Sequence, residues 1–241
     1  MKYYLGAYYF IKLCNANYGS IEGTKIFTCS TCINDSYLDD WSISWSSSSY
    51  NKKKAKEVFN LDKSQIKEIQ TWSDQKFEEK NIGWINTFSD YATLIEYKKK
   101  FFNNISDYHI LNVNFPESEK EELIKAFENR EKDIGSIGLW DNLKKGILEV
   151  ADQSETVIGF DLIGIEDGGD FHTFHCHDLA NELINKFRVQ INQYGLIDNE
   201  NNWEQLVEYM NNEENGFEPV PWFFVKVKMV DENKKPLHNN S

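Results

Sequence analysis

Three of the five histidines and one of the four cysteines fall between residues 172 and 177, inside DFHTFHCHDLANEL (170–183). Read as a return strand over 170–177, the run places alternate side chains on one face. His175 and His177 then point the same way, with Phe171 and Thr173, and their spacing suits two imidazoles on one zinc or iron ion. His172, Phe174 and Cys176 point the other way. A metal centre needs at least a third ligand from another element. None is identifiable by spacing, and Asp170 shares the face of His172. Two readings stay open: a metal centre on His175 and His177 serving an enzyme, or hydrogen-bonded imidazoles at the end of a strand that leads to a helix capped by Asp178. His172 and His177 also have H-x4-H spacing, but a zinc finger carries that pair on a helix close behind its CxxC.

The chain's CxxC, CSTC at Cys29–Cys32, lies far upstream and has no second pair. A thioredoxin-type site puts CxxC at the start of a helix, and INDSYLDDW after it is not helical in pattern. Two small buried thiols are the simpler reading. No nucleophile elbow, P-loop or dinucleotide fingerprint occurs, and GIEDGGD is a turn because no helix follows its glycines at phosphate-cradle spacing. The residue pattern therefore assigns no catalytic or cofactor-binding side chain.

Charge is more informative than motif. The formal net charge is −13 over 241 residues. Residues 1–116 hold 13 acids against 14 bases, and residues 117–241 hold 26 acids against 12 bases, so the second half carries −14. Such a field repels nucleic acid and anionic membranes and attracts basic partners. With two arginines, Arg130 and Arg188, few forks exist for phosphate recognition. Nucleic-acid binding is excluded on these grounds. No stretch has the roughly 20 apolar residues of a membrane span. The opening MKYYLGAYYFIKLC is broken at Lys12 and followed by no small-x-small cleavage site, so the expectation is a cytoplasmic protein with reduced cysteines.

A composition of 40% hydrophobic and 15% aromatic residues is that of a folded chain. Strands are expected at Tyr3–Leu13, at 108–115 up to Pro116, at 156–166 and at 222–230. The segment 156–166 is apolar on both faces, Val157, Ile163 and Ile165 on one and Ile158, Phe160 and Leu162 on the other, as in a central strand. In 222–230, Phe223, Val225, Val227 and Met229 are expected inward, with Lys226 and Lys228 outward. Helices are expected from an Asp62 cap to about Lys80, over 89–102, 117–131, 179–191 and 203–212. WSISWSSSSYNKKKAKE (41–57) reads as a strand, a turn and a solvated helix start. IGSIGLWDNLKKG (134–146) reads as a Gly-punctuated connection with at most a short helix. The expected architecture is α+β: a mixed, mostly antiparallel sheet with helices packed on it. It forms a single domain over 1–235, divisible into lobes 1–133 and 134–235, with a flexible tail at 236–241.

At IGFDLIGIEDGGDFHTFHCHDLANEL, followed by NQYGLID and EPVPWFFV, the chain resembles bacterial proteins associated with polymorphic-toxin immunity families; the likeness covers residues 157–225. The opening YYLGAYY is similar to the YxGAYW-like starts of some immunity families. The resemblance implies an intracellular protein that binds and neutralises a partner toxin, and an acidic surface suits steered capture of a basic one. Trp203 or Trp222 would serve as an aromatic anchor for that interface, or else belongs to the core. Three functions follow from the sequence: a toxin-neutralising binding protein with a basic protein partner, a metal-dependent enzyme using His175 and His177, and an interaction protein with neither property.

Overall fold

Tyr3–Lys12, dense in aromatic and β-forming side chains, forms the first strand, β1. The computed structural model describes residues 2–12, 14–15, 25–26, 60–83, 87–103, 108–128, 137–149, 154–165, 171–176 and 179–232. The sequence readings at Cys29–Cys32, over 41–57, at His177 and Asp178, and over 236–241 lie outside those residues.

Two further strands, β2 (Cys14–Asn15) and β3 (Lys25–Ile26), pair with each other. Helix α1 (Lys63–Glu78) starts at Asp62, whose side chain accepts from the Gln65 N–H while Gln65 reaches back to the Asp62 N–H, a capping box. After β4 (Thr87–Phe88) comes α2 (Tyr91–Phe101), capped by Asp90 through Thr93. Then follow β5 (Tyr108–Pro116), a 3₁₀ turn at Glu117–Glu119, α3 (Lys120–Glu128) and α4 (Ile137–Lys145). The chain continues as β6 (Glu155–Ile165), β7 (Phe171–Thr173), α5 (Leu179–Phe187), α6 (Trp203–Met210) and β8 (Trp222–Val230).

Six of these strands make one sheet in the order β4-β1-β5-β8-β6-β7, and every neighbouring pair is antiparallel. The fold is α+β, and the expected mixture of strand directions is not seen in this sheet. The short helix allowed within the connection 134–146 forms as α4, where Leu139 and Leu143 find a fully buried seat on the sheet.

Both faces of the sheet are covered. On one, Tyr9, Ile11, Leu111, Val113, Phe115, Val225 and Val227 pack beneath α3 and α4. The other carries two separate apolar clusters. Leu5, Tyr8, Phe10 and Ile110 meet α1 and α2, while Phe160, Leu162, Trp222 and Phe224 meet α5 and α6.

Two bulges keep these faces in phase. The β1–β5 register shifts between Leu5 and Ala7, at Gly6, where an added Cβ would lie 2.6 Å from the Phe115 ring and 2.8 Å from the Val113 carbonyl. The β6–β8 register shifts between Val157 and Gly159. That second bulge overturns the strict alternation expected for 156–166: Ile158 joins Ile163 and Ile165, and Val157 is 47% exposed.

Candidate functional site

Strand β7 ends at Thr173, earlier than the return strand expected over 170–177. Phe174 still donates its N–H to the Leu162 carbonyl at 3.1 Å, and the chain then turns through His175 and Cys176, both buried. His175 is 1% exposed, its ring 4.1 Å from that of Phe174 between centroids. Its Nε2 lies 2.5 Å from the Gly195 carbonyl oxygen. A carbonyl only accepts, so this nitrogen carries the hydrogen and donates, which puts the ring's lone pair on Nδ1.

What His175 holds is a closely folded loop. Asn192 organises it: Oδ1 accepts the N–H groups of Tyr194 and Leu196, and Nδ2 donates to the Ile158 carbonyl at 2.7 Å. Ile197 and Phe160 exchange both backbone hydrogen bonds, so the loop docks on the edge of β6. It docks over Gly159, where φ is +147° and an added Cβ would lie 2.6 Å from the Leu196 Cβ. Among the described residues, no three His, Cys, Asp or Glu side chains are grouped to hold a metal ion. The structure therefore describes the surroundings of His175 but not the His175–His177 pair, since His177 is outside the described residues.

A second polar feature departs from the sequence expectation. Lys228 is 7% exposed and Lys226 is half-buried, so neither is the outward lysine of a half-solvated strand. The reason is the sheet order: β8 lies between β5 and β6 with helices on both faces. Across it runs a polar seam between the two apolar clusters, with Tyr8 opposite Asn112 and Asn112 opposite Lys228 in one row. Leu5, Asn114 and Lys226 form the next row. Lys226 donates to Glu149 at 2.9 Å, and Lys228 to Glu155 at 2.8 Å while lying 3.5 Å from Glu149. Lys226 also sits 3.4 Å above the Tyr3 ring, whose hydroxyl donates to Glu200 at 2.7 Å. Among the described residues, two ammonium groups face two carboxylates here.

Two carboxyl groups are buried more deeply still. Asp161 is 1% exposed; Thr173 donates its hydroxyl to Oδ1 at 2.7 Å, and Oδ2 finds no partner among the described residues. Burial pushes its pKa up to about 7 against the bonds from Thr173 and the Leu162 backbone. Glu119, 5% exposed, accepts the Phe224 N–H on Oε2, and burial raises it to about 8. These groups sit in the packed core rather than in a cleft.

One exposed stretch is strongly acidic. From Val189 to Val225 the chain has seven carboxylates and no Lys, Arg or His. Asp198, Glu204, Glu208, Glu213 and Glu214 are exposed, and none makes an ion pair among the described residues. Glu204 and Glu208 stand four residues apart on α6, on one side of the helix. Composition alone shows this run; the structure adds that α6 turns Leu206, Tyr209 and Met210 inward and leaves both glutamates outside. Of the two expected aromatic anchors, Trp222 is core at 1% exposure, and Trp203 is half-buried with its ring centroid 6.2 Å from that of Phe224. No helix among the described residues is long and apolar enough to cross a membrane. No protein-family model matches the chain, and neither a curated protein nor a solved structure matches it.

Proposed function

We propose that this chain is a binding protein that captures a basic protein partner on the acidic face built by α6 and the segments around it, 198–218. The observation that carries the reading is the like-charged pair Glu204 and Glu208. Carboxylates four residues apart on a helix repel by roughly 0.2–0.5 kcal/mol, and neither makes an ion pair with a lysine or arginine among the described residues. A partner's cations supply that relief. The five unpaired carboxylates also raise the rate at which a basic protein finds the face, an effect that salt screens.

The resemblance of residues 157–225 to polymorphic-toxin immunity proteins makes a toxin the natural partner and the cytoplasm the place of capture. Affinity capture of the intact chain from the cells that carry its gene tests the reading. A basic protein held at about 50 mM salt and released by about 500 mM supports it. The same protein should be lost when Glu204, Glu208, Glu213 and Glu214 are all changed to Gln. An acidic partner, or one held equally at both salt concentrations, counts against it.

A further inference from the structure

Between the start of α2 and α4, at the β1–β4 edge of the sheet, lies a cleft of about 440 Å³, within the size range of small-molecule sites. Its wall is braced. Asn142 is buried, and its Nδ2 donates to the carbonyl of Gly6 at 2.8 Å and to that of Ser89 at 2.7 Å. With both amide hydrogens taken up, Oδ1 remains as an acceptor. Ser89 is fixed in turn, its hydroxyl donating to the Lys80 carbonyl at 2.7 Å and its N–H to the Asn81 carbonyl at 2.8 Å.

Tyr8 and Tyr91 bring two rings to the cleft, with centroids 5.8 Å apart and planes at 53°. Lys80, Asp141 and Lys145 line it as well, and none of the three makes an ion pair among the described residues. Two other lining carboxylates are already engaged: Glu79 by Gln75, Lys76 and Asn81, and Asp90 by capping Thr93. The cleft thus brings together two ammonium groups and one carboxylate without ion pairs among the described residues, an amide side chain and a pair of rings. A zwitterion complements that set, with its carboxylate toward the lysines and its ammonium toward Asp141 and Asn142.

We propose that this cleft binds a free α-amino acid with an aromatic side chain, the ring packing against Tyr8 and Tyr91. The braced wall means that little ordering opposes binding.

Calorimetric titration of the full chain with three probes tests this: L-phenylalanine, 3-phenylpropionate, which lacks the ammonium, and 2-phenylethylamine, which lacks the carboxylate. L-phenylalanine is expected to bind with a Kd of about 1 mM or tighter, and each truncated probe about tenfold more weakly. Asp141→Asn should weaken L-phenylalanine and 2-phenylethylamine and leave 3-phenylpropionate unchanged. Lys145→Ala, at an exposed side chain that the fold does not need, should weaken L-phenylalanine and 3-phenylpropionate instead. No binding of L-phenylalanine at about 10 mM, equal binding of all three probes, or variants that leave L-phenylalanine binding unchanged would each overturn the proposal.

Discussion

The buried carboxyl of Glu119 accepts the backbone N–H of Phe224 at 3.0 Å, just past the end of the β5–β8 ladder. Pairing between those strands stops at Asn114 and Lys226 because β5 reaches Pro116 and turns into the 3₁₀ segment. A side chain from that segment therefore completes the ladder, and burial is the cost. Glu119 is held up to about 8 and Asp161 up to about 7.

The consequence is a stability that falls as pH rises. In the unfolded chain these carboxyls ionise near pH 4, whereas in the folded chain they keep their protons to about pH 7 and 8. Between those limits the folded state binds more protons than the unfolded state. Raising the pH across the window then lowers stability, by at most about 1.4 kcal/mol per unit for each group. Denaturant titrations at pH 5 to 8 should show this slope, and it should flatten in Glu119→Gln and Asp161→Asn. A wild-type stability that rises through this range would contradict the assignment.

His175→Ala removes the donor to Gly195, opens a cavity and leaves the loop fastened by Asn192 and Ile197. A loss of about 1–3 kcal/mol is expected, with faster hydrogen exchange at Leu196 and Ile197 than elsewhere in the sheet. Asn192→Ala should act on the same loop, so the double variant should cost less than the two single losses combined. Additive losses would show that the two side chains hold different things.

Gly159→Ala tests how closely that loop sits on β6. A methyl group there meets Leu196 and Asn192 at under 3.0 Å, on a backbone at φ +147°. The expected destabilisation is about 2 kcal/mol or more, by thermal or chemical unfolding. A change under about 0.5 kcal/mol would mean that the loop yields easily.

The Lys228–Glu155 pair is a stability element, and its variants should separate. Glu155→Ala removes the nearer of the two carboxylates that face the buried Lys228 ammonium and is expected to cost about 3–5 kcal/mol. Replacing both members, as Lys228→Met with Glu155→Leu, should recover most of that loss. If the double variant is as unstable as the single, the seam contributes more than charge pairing.

Much of the fold is legible from local chemistry. The cap at Asp62 and the aromatic density of Tyr3–Lys12 place α1 and β1 closely. The strand 222–230 is placed to the residue, yet its lysines are not outward. Alternation reports which residues share a face, not what covers that face, and the partners Glu149 and Glu155 are more than 70 residues away in sequence. The β6 bulge escapes for a related reason: Gly159 is needed because Leu196 and Asn192 press on it, and no local pattern carries that contact. At the histidines, spacing alone leaves metal and hydrogen bond both open; only the position of Gly195 shows what His175 Nε2 does. The acidic face is the reverse case, visible in composition alone. Helix α6 only decides which carboxylates stand outside.

If this face steers and holds a basic partner, the rate of their association depends on its carboxylates. Stopped-flow binding of the captured partner should slow steeply as ionic strength rises from about 20 to 300 mM. The variant with Glu204, Glu208, Glu213 and Glu214 changed to Gln should bind slowly throughout, with a much flatter salt dependence. Its fold should be a few tenths of a kcal/mol more stable, because the Glu204–Glu208 repulsion is gone. Equal rates for the two proteins at low salt would contradict the account.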